Sequence, residues 1–110
     1  MMSVLKKIKI AVIGATGYTG LDLILLLSKH PKVKISYLCA TQSIGKKINS
    51  FDNRIKGKLP IISSVSNIKW NTIDLVFLSL PNGEAQKLIK KNYLINKNIK
   101  FIDLSADFRI

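Results

Sequence analysis

Residues 8–20, IKIAVIGATGYTG, constrain this chain more than any other stretch. An apolar run of Ile8, Ile10, Ala11, Val12 and Ile13 leads straight into Gly14, Gly17 and Gly20, and a strongly apolar segment follows. A near-continuous apolar strand suits a central parallel strand covered on both faces. Gly14 at the strand exit permits a backbone turn that a side chain would hinder. Gly17 lets the main chain approach a pyrophosphate, and Gly20 lets the following helix pack close to the strand. The N–H groups and positive dipole end of that helix then face the phosphates. The spacing G-x-x-G-x-x-G varies the commoner G-x-G-x-x-G, and glycine triplets alone match many unrelated turns; the strand before and the helix after give this one its meaning. Gly14, Ala15, Thr16, Gly17, Tyr18, Thr19 and Gly20 are therefore the first candidates for contact with a bound dinucleotide.

The helix is expected over residues 18–29, carrying Leu21, Leu23, Ile24, Leu25, Leu26 and Leu27 and ending before Pro31. Residues 34–40 (KISYLCA) read as a second strand rich in β-formers. Residues 41–59 are polar, basic and poorly periodic, a long loop with a short helix near 44–51. A short third strand over 61–65 at the sheet edge precedes a connector, 66–71, with Trp70 partly packed. Residues 73–80 (IDLVFLSL) form another buried strand, stopped by Pro81; Asn82 and Gly83 turn the chain into a helix over 84–96, and a last strand covers 100–104. Alternating strands and helices imply an α/β, Rossmann-like doubly wound parallel sheet with right-handed crossovers and strand order 3-2-1-4-5. Residues 14–20, 41–43, 81–83 and 105–109 all follow strand ends, where open α/β sheets place their ligands.

A chain of 110 residues, 47% hydrophobic, can bury one modest core and is expected to be a single domain. No apolar run approaches the ~20 residues of a membrane helix, and no signal-peptide pattern opens the chain, so it reads as cytoplasmic with no membrane partner. Cys39 is the one cysteine, which rules out an internal disulfide and fits a reducing compartment. The net charge of +12 invites a nucleic-acid reading, but the lysines are scattered over every segment and Arg54 and Arg109 are the arginines. A solvated lysine surface without a nucleic-acid partner is the reading that this scatter supports.

A site selective for NAD usually carries Asp or Glu about 20 residues beyond the glycines, bonding the ribose 2′-hydroxyl and repelling a 2′-phosphate. Here the second strand exits into Ala40, Thr41, Gln42 and Ser43, then Gly45, Lys46 and Lys47, with no carboxylate. Hydroxyls, an amide and nearby lysines would accept the extra phosphate, which favours NADP and makes Thr41, Gln42 and Ser43 candidate cofactor contacts. The competing reading is an ordinary loop with solvated lysines.

Gly14 through Gly20, then Leu80-Pro81-Asn82-Gly83, then residues 102–109 (IDLSADFR) together resemble the amino-terminal domain of the N-acetyl-gamma-glutamyl-phosphate reductase family, within the semialdehyde dehydrogenase superfamily. The resemblance covers essentially the whole chain, and LSADFR is its most specific motif. It implies NADPH-dependent reduction of an acyl phosphate, N-acetyl-glutamyl 5-phosphate, to the semialdehyde with release of phosphate, in arginine biosynthesis. In that family a cysteine thiolate forms a thioester that hydride then reduces, with a histidine assisting proton transfer. The resemblance also implies that Pro81 and Asn82 lie against the cofactor and that Arg109 binds the substrate phosphate, for which a guanidinium is well suited. Against that role stands pairing of Arg109 with Asp107 or Asp103. Many family members carry histidine where Asn82 stands.

The family's nucleophile lies beyond LSADFR, so the chain is expected to be the front part of a longer, homo-oligomeric enzyme, lacking the catalytic and dimerisation domain and inactive alone. Cys39, inside a strand pattern, reads as a buried inert thiol, and His30, before Pro31, as a helix-end or surface residue. No catalytic residue and no metal ligand is assigned within the chain. The alternatives are a complete nucleotide-binding module without catalysis, or the equivalent domain of an aspartate-semialdehyde dehydrogenase or an aminoadipyl-phosphate reductase.

Overall fold

Residues that stay apolar on both sides of a strand must be covered on both sides, and the first strand meets that condition. In the computed structural model, which describes residues 7–80, 87 and 99–104, strand β1 (Ile8–Ile13) has Ile10, Ala11 and Val12 fully buried. Its first residue, Ile8, lies at the sheet's amino edge and is 46% exposed. The chain continues through helix α1 (Tyr18–Ser28), strand β2 (Val33–Cys39), strand β3 (Ile62–Ser63), strand β4 (Leu75–Leu78) and strand β5 (Lys100–Asp103). Every pairing is parallel and the order is β3-β2-β1-β4-β5, the Rossmann-like arrangement expected from the alternating pattern. The helix expected over 84–96 lies outside the described residues apart from Lys87, which is helical.

The period-two alternation of β1 splits the core into two layers. Ile10 and Val12 face one layer with Ala15, Ile24 of α1, Ile35, Leu38, Ile48, Ile55 and Ile62. Ala11 and Ile13 face the other with Cys39, Ile68, Ile73, Val76, Leu78 and Ile99. Trp70 is half-buried, as expected, against Phe101 with ring centroids 6.3 Å apart.

Several features depart from the sequence reading, among them β4, which covers four residues, Leu75–Leu78, rather than 73–80. The third strand is two residues long rather than the five of 61–65, because Val65 already enters a 3-10 turn (Val65–Asn67) capped by the Ser64 hydroxyl, which accepts the Ser66 N–H at 3.2 Å. The segment 41–59 is a loop containing one 3-10 turn (Ile48–Ser50), but it is anchored in the core. Ile48 and Ile55 are buried in the first layer, and Asn49 Nδ2 donates to the Ile55 carbonyl at 2.7 Å. Strand β2 carries a bulge: Ile10 pairs with Ile35 and Ala11 with Tyr37, so Ser36 is an extra residue. That insertion lets Ile35 and Leu38, an odd number of positions apart, share one layer.

Candidate functional site

The carboxyl ends of β1 and β2 lie side by side, and the glycine turn is tied to both. Gly14 N–H donates to the Cys39 carbonyl at 2.8 Å and Ala15 N–H to the same oxygen at 3.0 Å. Gly14 has φ +86°, the left-handed region that favours glycine, and a Cβ there would run into the Ser79 carbonyl, whose carbon would lie 2.8 Å away. The turn therefore fits only with glycine, because the chain leaving β4 passes directly beside it, with Ser79 N–H donating to the Ile13 carbonyl at 2.8 Å. Gly20 is buried in the first turns of α1, where a Cβ would collide with the Gly14 carbonyl and come within 3.0 Å of that of Ala15. Both outer glycines are thus demanded by packing.

Gly17 differs. Its φ is −75°, which any residue adopts, and an added Cβ would meet nothing closer than the Gly14 carbonyl oxygen at 3.7 Å. It is exposed and serves as the helix N-cap with no side chain to satisfy the first helical N–H groups. Those donors and the dipole end form an anion-receptive surface open to solvent. No acidic residue sits in that first turn to compete with an anion. Around it, Thr16 is half-buried, Thr19 exposed and Tyr18 92% exposed, whereas Ala15 is packed into the core.

The exit of β2 supplies the second wall. Thr41 and Gln42 are exposed, and Ser43 is half-buried with φ +67°, an uncommon backbone for a residue other than glycine. Lys46 N–H donates to the Ser43 carbonyl at 3.1 Å, and Gly45 N–H to the Ile62 carbonyl at 2.7 Å, so the loop folds back onto β3. Both Lys46 and Lys47 are exposed. The structure thus brings 14–20 and 41–43 to one edge. Pro81, Asn82 and Arg109 lie outside the described residues. Of the strands that lead to them, β4 pairs in parallel with β1 and β5 in parallel with β4, so both end at the same edge, where Leu104 N–H donates to the Leu78 carbonyl at 2.7 Å.

Cys39 has no solvent exposure and stands 3.9 Å from the Ser63 hydroxyl. Burial pushes its thiol pKa up, against a smaller downward pull from that hydroxyl, so the reactive thiolate is disfavoured. His30 is exposed beyond the far end of α1, where its Nδ1 accepts the Lys32 N–H at 3.1 Å. Among the described residues no cluster of three metal-ligating side chains occurs.

Arg54, which sequence reasoning left unassigned, steadies the loop beside the site. Its Nη2 bonds Asp52 Oδ2 at 2.6 Å, its Nε bonds Asp52 Oδ1 at 3.0 Å, and Nη2 also reaches Asp22 Oδ1 of α1 at 3.5 Å. No local pattern joins Asp22 to Arg54; their proximity arises from the packing of Ile48 and Ile55 beneath the loop. The Arg54 side-chain bonds, then its main-chain N–H, hold the Asp52 carboxyl down to about 2. Because the folded pKa is depressed, the pair's contribution is complete above the usual carboxylate range and is lost as pH falls toward 2. An NMR titration should place the Asp52 midpoint near 2, and Arg54→Gln should return it to roughly 4; an ordinary midpoint in the unsubstituted protein would contradict the pairing.

Residues 9–110 match the family described as semialdehyde dehydrogenase, NAD binding domain. The N-acetyl-gamma-glutamyl-phosphate reductase of Ehrlichia ruminantium (strain Gardel) is 49% identical over 107 residues, covering 94% of this chain and 30% of that protein. The protein of that name from Rhodospirillum rubrum is 36% identical over 110 residues, covering 96% of this chain and 31% of its own length. The crystal structure of aspartate semialdehyde dehydrogenase with NADP from Candida albicans superposes with a TM-score of 0.66 at 28% identity, covering 94% of this chain and 31% of that one. The chain therefore spans about 30% of the length of the curated relatives it matches.

Proposed function

The chain belongs to the semialdehyde dehydrogenase family, and from that membership we propose that it is the cofactor-binding part of an NADPH-dependent reductase that converts N-acetyl-glutamyl 5-phosphate to N-acetyl-glutamate 5-semialdehyde with release of phosphate. The observation that carries the reading is Gly17. The fold has room for a side chain there, and its absence leaves the main chain at the helix start open to something that approaches from outside. A dinucleotide pyrophosphate fits that opening: it presents negative charge to the helix end and needs close backbone contact.

When bound, the nicotinamide supplies hydride. The residues of this chain bind and orient it. The turn from Gly14 to Gly20 receives the pyrophosphate, and Thr41, Gln42 and Ser43 face the adenosine ribose. With no carboxylate between residues 40 and 47, and with Lys46 and Lys47 exposed beside Ser43, a 2′-phosphate meets hydrogen-bond donors and positive charge rather than repulsion. Pro81 and Asn82 at the exit of β4 would flank the nicotinamide side, and Arg109 would hold the substrate phosphate; both assignments rest on the sequence. Cys39, buried within the sheet with its thiol pKa pushed up, is poorly suited to form the thioester, which supports a nucleophile elsewhere in the whole protein. The relatives named above support the acyl-phosphate substrate, and a homo-oligomeric, cytoplasmic enzyme is part of the same proposal.

Fluorescence titration of the purified protein with NADPH and NADH tests this reading. NADPH should bind at least about tenfold more tightly, roughly 1.4 kcal/mol. Equal or negligible binding of both by a folded protein would overturn it.

A further inference from the structure

The opposite, amino-terminal edge of the sheet carries a grouping that the cofactor reading does not use. Lys9 and Lys34 are register partners on the adjacent strands β1 and β2. Like charges placed opposite one another on neighbouring strands weaken a sheet. Lys58, from the segment entering β3, joins them around a cavity of about 460 Å³ that is also lined by Ser36, Tyr37 and Thr72. The carboxylate nearest in the hydrogen-bond pattern, Asp74, accepts the main-chain N–H of Lys9 at 2.9 Å. The ion pairs recorded among the described residues are those of Arg54 and involve none of these lysines. Three lysines distant in sequence thus line one concavity, and among the described residues none of them is in a salt bridge.

The remaining lining suits an organic anion. Ser36 is the extra residue of the β2 bulge, and bulges commonly re-aim a side chain beside a binding site. The Ser36 hydroxyl can donate to anionic oxygens, while Thr72, whose hydroxyl donates to the Lys69 carbonyl at 2.6 Å, the Tyr37 ring and Pro60 complete the wall. The volume falls in the range of about 300–1,000 Å³ typical of small-molecule sites. The glycine turn lies at the other end of β1, roughly 17 Å away for a strand of this length. We propose that this cavity binds a small organic phosphate, its charge neutralised by Lys9, Lys34 and Lys58 and an oxygen bonded by Ser36. The site is separate from the dinucleotide site and does not depend on it.

The test is an amide-resolved NMR titration of the full-length protein with glycerol 3-phosphate, inorganic phosphate and, at matched ionic strength, sodium chloride. Glycerol 3-phosphate should give saturable shifts at Ser36 and Thr72 and bind more tightly than inorganic phosphate. Lys34→Gln or Lys58→Gln should weaken it about tenfold or more, whereas Gly17→Val should leave it unchanged. These lysines are exposed, so the variants should fold. In anion-free buffer Lys34→Gln, which relieves the repulsion, should raise the unfolding midpoint by about 1–4 °C. Shifts that chloride reproduces, or that survive both lysine substitutions, would overturn the site. Equal affinity for inorganic phosphate and glycerol 3-phosphate would overturn the assignment to an organic ligand, and a midpoint unmoved by Lys34→Gln would contradict the repulsive pair.

Discussion

Gly14→Ala is expected to destabilise the protein by about 2–5 kcal/mol, against a total stability of about 5–15 kcal/mol for a typical domain. Two costs add at this position. The φ of +86° is unfavourable for alanine, and the new methyl group would meet the main chain of Ser79, just past β4. The Ser79 main chain, tied to β1 by its N–H bond to the Ile13 carbonyl, cannot swing aside as a side chain would, so β1 and the chain leaving β4 would have to separate at their carboxyl ends. Gly20→Ala should cost a comparable amount through a different contact, because its methyl group would strike the Gly14 carbonyl and push α1 off the sheet. Urea unfolding of both variants checks this. A loss below about 1 kcal/mol at Gly14 would show that the turn relaxes easily.

Gly17→Val should give the reverse pattern: a fold disturbed by roughly 1 kcal/mol, the scale of replacing a good N-cap residue by a poor one, together with a loss of NADPH affinity of about a hundredfold or more. The backbone there is ordinary and the space around it open, so the folded protein accommodates the side chain. The pyrophosphate does not, since the isopropyl group would occupy the surface over the first helical N–H groups. Comparing the three glycines by urea unfolding and by nucleotide titration separates fold from function within one motif. If Gly17→Val bound NADPH as well as the unsubstituted protein, the nucleotide would have to lie elsewhere; if it unfolded, the room seen around Gly17 would be illusory.

Much of the architecture was legible before any coordinates. The apolar runs of β1 and β4 announced central strands, Pro31 bounded the first helix, and the handedness of parallel crossovers then left strand order 3-2-1-4-5 as the natural arrangement. Legibility failed where contacts were made between distant residues. Ile48 and Ile55 sit in a polar stretch without helical or strand periodicity, yet both are buried. The register shift at Ser36 leaves no local mark, because one extra residue in a strand of mixed composition reads as continued strand. Of the candidate site, the glycine turn and the exit of β2 could be read as neighbours, since both follow strands of one parallel sheet. The bridge from Arg54 to Asp22 could not, since it depends on how the loop folds over α1.

The sequence by itself determined the class of fold, the edge at which a ligand would lie and the family to which the turn belongs. Each of these depends on local periodicity, on residues that permit special backbone geometry, and on the fixed hand of the polypeptide chain. Only the tertiary structure decided what each glycine is for. It packs Gly14 against Ser79 and Gly20 against the turn while leaving Gly17 open, a distinction set by the distance to residues remote in the chain. It likewise decided that lysines scattered through the sequence meet in one place: Lys9 and Lys34 become neighbours through strand register, and Lys58 joins them through the path of the chain into β3.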